Sequence, residues 1–196
     1  MGQTEYEVKA GNANEPATVT VGWLASRVVL SGVSCNIPEQ HGNMSVDCVY
    51  LGNAHTVQTF GGVSSEMRNV NGLSQSGGSI GIDGETGDFA SYMYRSIGKS
   101  VDVGENLTDK YYMYCQPNSL ESYTCLYLLV TIGGQKYYYR VPLTEGLQPN
   151  TTCSVDLRIT NLGSPTPPDG DMQKGEIEAE ITFDNWLPGN HYVTEF

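Results

Sequence analysis

Basic residues are scarce in this 196-residue chain and nowhere cluster: 10 Lys and Arg stand against 22 Asp and Glu, a formal charge of −12. Phosphate recognition needs grouped cations. The balance therefore argues against nucleic acid as a partner, and equally against attachment to an anionic lipid surface. No run approaches the roughly 18 consecutive apolar residues of a membrane helix, so no transmembrane span is expected. Histidine occurs three times, at His41, His55 and His191, never in an HExxH or GxSxG setting. The five cysteines (Cys35, Cys48, Cys115, Cys125, Cys153) are odd in number and show no CxxC spacing, which removes zinc-ribbon and thioredoxin-like readings. Each sits in an apolar, strand-like stretch as a small hydrophobe, and spacing leaves open whether Cys35 and Cys48 are bonded. The first residues, MGQTEYEVKAGNANEP, lack the basic start and apolar core of a secretory signal.

Several chemical motifs fall short. Gly98-Lys99-Ser100 ends like a phosphate loop, but Met93 occupies the position where that loop requires glycine. Gly77-Gly78-Ser79-Ile80-Gly81 lacks the strand–turn–helix setting of a dinucleotide fingerprint. The acidic groups Asp83, Glu85 and Asp88, and Asp169 with Asp171, do not follow a calcium-loop spacing and read as turns. Three acceptor patterns for N-glycosylation, at Asn43, Asn106 and Asn150, are short enough to arise by chance. No catalytic residue, metal ligand or cofactor site is assigned, and the chain is not expected to be an enzyme.

The positive signal is alternation. In TCSVDLRIT (152–160), Cys153, Val155, Leu157 and Ile159 oppose Ser154, Asp156, Arg158 and Thr160. In EIEAEITF (176–183), Ile177, Ala179, Ile181 and Phe183 oppose Glu176, Glu178, Glu180 and Thr182. Successive side chains of a strand point to opposite faces, so this patterning predicts half-buried strands. Upstream, 25–37 reads as one long strand with Val29, Val33, Cys35 and Ile37 at even spacing. A turn over 39–43 follows, with 45–51 expected as its hairpin partner. Residues 61–87, rich in Gly, Ser and Asn, read as a long loop in which Ser64 or Ser65 caps a short helical segment carrying Met67, Val70 and Leu73. Strand-like stretches at 111–115, 123–132 and 136–143 follow, the last two joined by a Gly133-Gly134 hairpin turn. About eight to ten strands and no long helix predict an all-β, two-sheet sandwich.

Two faces invite a functional reading. In a strand through Tyr137-Tyr138-Tyr139, Tyr137, Tyr139 and Val141 face the core, leaving Tyr138 and Arg140 as a candidate ligand surface. The row Glu176, Glu178, Glu180 marks a face in water, on a strand that either deters edge pairing or awaits a partner.

The run KYYYRVPLTEGLQPNTTCSVDLRITNLGSPTPPDGDMQKGEIEAEITFDNW (136–186) resembles the C-terminal part of Bacteroides-type fimbrillins, the pilin-like proteins of type V fimbriae. A tyrosine-rich strand enters Pro142-Leu143, the turn Leu147-Gln148-Pro149-Asn150-Thr151 follows, and the last strand ends in Trp186. SRVVLSGVS (26–34), SVDCVYLGNA (45–54) and TDKYYMYCQPN (108–118) are similar to the family's core strands. The cysteines depart from its pattern. The resemblance implies a transthyretin-like or Ig-like sandwich over 25–196, preceded at 1–24 by a lead-in strand or linker from an upstream domain. It further implies a lipoprotein exported to the cell surface, an outer-membrane fimbrium, and assembly with other fimbrial subunits by strand exchange. The interaction strand would be Ile177, Ala179, Ile181, Phe183 and Trp186. A carbohydrate-binding or tip adhesin module on the same sandwich, meeting a host protein or glycan, is the alternative.

Overall fold

The computed structural model describes residues 25–58, 64–68, 73–76, 79–82, 93–118, 123–166 and 177–185. The lead-in at 1–24 and Trp186 lie outside them. In chain order the strands are β1 (Ser26–Cys35), β2 (Met44–Gly52), β3 (Ala54–Gln58), β4 (Ser64–Arg68), β5 (Leu73–Ser76), β6 (Ser79–Ile82) and β7 (Tyr94–Val101). They continue with β8 (Asn106–Leu107), β9 (Tyr111–Cys115), β10 (Cys125–Ile132), β11 (Gln135–Pro142), β12 (Thr151–Ile159) and β13 (Ile177–Asn185).

Nine of these form the two sheets of a sandwich. One sheet runs β13-β12-β1, with β8 and β9 sharing the far side of β1; the other runs β11-β10-β2-β7. The two most cleanly alternating stretches are partners: β12 and β13 pair antiparallel from Thr151–Asn185 to Ile159–Ile177 without a break, across the intervening insert. β1 lies parallel to β12 although more than a hundred residues separate them. Gly133 and Gly134, at φ 58° and 83°, make the hairpin turn between β10 and β11. Positive φ at both positions suits the type I′ geometry that matches strand twist.

Three expectations are corrected. First, β2 is not the hairpin partner of β1. The 3-10 turn at Glu39–His41 carries the chain across the sandwich, and β2 pairs with β10 and β7. Cys35 and Cys48 therefore belong to different sheets, and all five cysteines are free and buried. Second, β1 contains a bulge between Leu30 and Gly32, so its even spacing breaks. The inward set is Val28, Leu30, Val33 and Cys35, while Val29 lies outside the core cluster. Ser31 donates its hydroxyl to the Val155 carbonyl (2.9 Å), and the exposed Asp156 carboxylate lies over Gly32, where a β-carbon would push it aside. A bulge inserts one residue and reverses the facing of those after it. Third, residues 64–68 form a strand paired with β3, not a helical segment, and β5 pairs with β6.

The core lies between the sheets: Val28, Leu30, Val46, Val49, Leu51, Leu126, Leu128, Val130, Val141, Val155, Leu157 and Ile159 are each 4% exposed or less. Each such side chain contributes roughly 1.5–3 kcal/mol on burial. The four-stranded sheet also carries a second buried layer on its outer side, formed by Cys48, Tyr50, Cys125, Tyr127, Leu129 and Tyr138. Consequently β10 (CLYLLVTI) is buried on both faces.

Candidate assembly edge

At β13 the core thins abruptly. Its neighbour β12 buries Cys153, Val155, Leu157 and Ile159 completely. Their register partners Phe183, Ile181 and Ile177 are only partly covered, and Ala179, opposite Leu157, is exposed. The apolar row is thus oriented inward as the pattern predicts, yet it sits at the margin of the sheet. On its other side β13 has no partner strand among the described residues.

The outward row is acidic. Glu178, Glu180 and Asp184 are exposed, facing Arg158, Asp156 and Thr152 of β12. Arg158 meets Glu178 at 3.4 Å and also donates to Asn36 Oδ1 at 3.1 Å. Glu180 and Asp156 instead set two carboxylates side by side. Exposed charges of one sign along an edge discourage indiscriminate pairing.

The edge strand β11 of the facing sheet is treated differently. After β12 the chain crosses to β11, where Ser164 and Tyr138 exchange backbone hydrogen bonds of 2.8 and 3.1 Å. Tyr139 donates its hydroxyl to the Asn161 carbonyl at 2.7 Å. Gly163 lies so close that a β-carbon would stand 2.6 Å from the Tyr138 carbonyl oxygen. This strap covers part of the β11 edge, whereas the outer edge of β13 has no such cover among the described residues.

The proposed ligand surface is corrected. Tyr138 has 0% exposure, packed in the outer aromatic layer, and Arg140 is half-buried with its guanidinium 6.0 Å from the Tyr123 ring centre. Alternation predicted one wet face for β11; both faces are covered. The exposed large aromatic among the described residues is Tyr112, with the Arg27 guanidinium 5.6 Å from its ring centre. Within the strand-like stretch 111–115 no sequence signal sets this residue apart from its neighbours.

At one end of the sandwich, the Asn118 side chain donates to Thr124 Oγ1 (2.9 Å), and Asn53, at φ 53°, donates to the Tyr123 carbonyl (2.7 Å). These polar groups fix the connections around β2 and β10; no motif announced them. Burial pushes the Cys48, Cys115 and Cys153 thiols up to about 12, so none is poised as a nucleophile. Gly98, Lys99 and Ser100 lie in strand β7, not in a loop that could cradle phosphate. His41 belongs to the 3-10 turn; His191, the acidic groups at 83–88 and Asp169 with Asp171 lie outside the described residues. Among the described residues no three His, Cys, Asp or Glu side chains converge as a metal site, and no helix is long and apolar enough to cross a membrane.

No protein-family model matches the chain, and no curated protein matches it in sequence. Solved structures do match its fold. A proposed cell adhesion protein from Bacteroides eggerthii has a TM-score of 0.56 at 15% identity, covering 86% of this chain and 57% of its own. A proposed cell adhesion protein from Parabacteroides distasonis has a TM-score of 0.52 at 14% identity, with coverages of 86% and 60%. A fimbrilin from Porphyromonas gingivalis has a TM-score of 0.54 at 14% identity, with coverages of 94% and 65%. The fold is fimbrillin-like. This chain spans less than two thirds of the length of each of these proteins.

Proposed function

We propose that this protein is a structural or accessory subunit of a cell-surface fimbria and works through strand pairing, not catalysis. The observation that carries the reading is the β13 edge, which has no partner strand among the described residues and where Ile177, Ile181 and Phe183 are only partly covered and Ala179 is exposed. An extended segment exchanged between subunits supplies main-chain hydrogen bonds to such an edge and alternate apolar side chains to its uncovered row. The names of the structural neighbours, one a fimbrilin and two associated with cell adhesion, support the same class. We extend the interaction strand to Trp186 and place the subunit as an exported lipoprotein on the outer membrane, with other fimbrial subunits as its partners. The adhesin alternative drew on exposed tyrosines and on the Gly/Ser/Asn-rich stretch at 61–87; burial of the Tyr138 ring removes one of these supports, and most of 61–87 lies outside the described residues.

The test is made on cells that express the native protein. Filaments sheared from the surface are run unboiled on SDS gels and probed with antibody to this chain. A ladder of SDS-resistant species that collapses on boiling is the expected result. Recovery of the chain only as a monomer, or only inside the cell, overturns the reading.

A further inference from the structure

Resting on that reading, we infer that the strand received by the β13 edge is not β13 of a second copy. It is a strand of a different sequence, apolar at alternate positions and lysine- or arginine-bearing at those between. The inference follows from the register of β13 and the charge of its outward row.

A strand added to β13 must continue the two faces of the sheet, apolar side inward, because a one-residue slip would turn its apolar row into water. Two copies of β13 pairing antiparallel about a two-fold axis must therefore be centred on a residue. Centring on Glu180 sets Glu180 against itself, and centring on Ala179 sets Glu178 against Glu180. On Ile181 the facing pair is Glu178 and Asp184; on Thr182 it is Glu180 and Asp184. Every one of these registers puts carboxylates directly opposite one another on the outer face, twice over in all but the first; centring on Phe183 avoids this but pairs only residues 181–185 of β13. A parallel, in-register pair stacks the same acids. Like charges directly opposite across a ladder are destabilising, and here the cation that faces this row from β12, Arg158, is already engaged by Glu178 and Asn36. The side-by-side Asp156 and Glu180 add to the same field. A strand with cations opposite Glu178, Glu180 and Asp184 reverses the sign of each term. Its inward apolar residues cover Ile177, Ile181 and Phe183, which the sandwich leaves half-exposed.

The test measures binding of two labelled peptides to the purified full chain by fluorescence anisotropy. One copies residues 176–183 (EIEAEITF); the other carries lysine at each glutamate (KIKAKITF). At about 0.05 M salt the lysine peptide is expected to bind at least about tenfold more tightly, and the gap is expected to shrink at about 0.5 M salt. In the full chain carrying Glu178→Lys and Glu180→Lys, both outward-facing changes, the preference is expected to reverse. Equal binding of the two peptides, preference for the acidic one, or binding of neither overturns the inference. The wild-type comparison decides alone should the variant not fold. These outcomes separate from the filament test: an SDS-resistant surface ladder with no peptide preference leaves the fimbrial reading standing and removes this one.

Discussion

Gly52 lies beneath the ring of Tyr127: a β-carbon at that position would stand 2.5 Å from the ring's Cε2. Tyr127 in turn stacks on Tyr50, with centroids 5.0 Å apart and planes 8° from parallel. The missing side chain on β2 is thus what lets the ring of β10 lie flat over its neighbour. We predict that Gly52→Ala destabilises the fold by about 1–3 kcal/mol through overpacking, read from urea unfolding. In a Tyr127→Ala background the added cost should largely disappear, because the ring that the methyl displaces is gone. Additive costs for the two changes would show that the ring and the glycine are not coupled.

Tyr138→Ala is expected to act on stability, by about 3–5 kcal/mol, as large aromatic truncations in packed layers do. The side chain is fully buried among Cys48, Tyr50, Tyr127 and Leu129. Denaturant titration of the variant checks this. A normal unfolding midpoint, combined with a loss of glycan binding, would instead restore Tyr138 to the surface role that its place in the sequence suggested.

The contrast between β11 and β13 shows where sequence reading succeeds and where it stops. Alternation in β12 and β13 was legible because each has one dry and one wetter face, so period two appears directly in residue type. In β11 the residues alternate just as well, but tyrosine suits either a surface or a core, and the outer layer of the four-stranded sheet covers Tyr138. The bulge at Ser31 was hidden because Val29 and Val33 have the same residue type whichever way they face. Nor could the turn at Glu39–His41 disclose that β2 joins β10 in the second sheet: a turn sets local direction, while that pairing depends on residues about eighty positions later. The strand at the assembly edge was legible as a pattern. Its incomplete cover was not, since exposure of Ala179 depends on its place at the sheet margin.

The buried thiols predict alkaline sensitivity. In the folded chain, burial raises Cys48, Cys115 and Cys153 from 9.0 to about 12. Unfolded thiols begin to release protons near pH 9, while folded ones hold theirs, so the native state binds more protons across the intervening window. Stability is then fully present below about pH 8 and falls as pH rises toward 12, by at most about 1.4 kcal/mol per pH unit for each thiol. Unfolding midpoints measured at pH 8 and pH 10 should drop accordingly. In the native chain at pH 8 a thiol reagent should label none of the five cysteines, and all five after denaturation. Rapid labelling without unfolding would contradict their burial.

The thinning of the core at β13 can be measured as a gradient of mutational cost. Leu157→Ala removes a side chain with 0% exposure from the middle of the sheet and is expected to cost about 2–5 kcal/mol. Ile181→Ala removes a side chain of similar size one strand further out, where it is only partly covered. Its cost in the isolated chain should therefore be no more than about half as large, because the lost transfer energy scales with the apolar area that was actually removed from water. Ala179→Ser, at an exposed position, should stay within about 0.5 kcal/mol. Urea unfolding of the three variants gives the comparison. If Ile181→Ala proved as costly as Leu157→Ala, the β13 row would be part of a finished core, with no need of a neighbouring strand, and the physical basis for pairing at this edge would be lost.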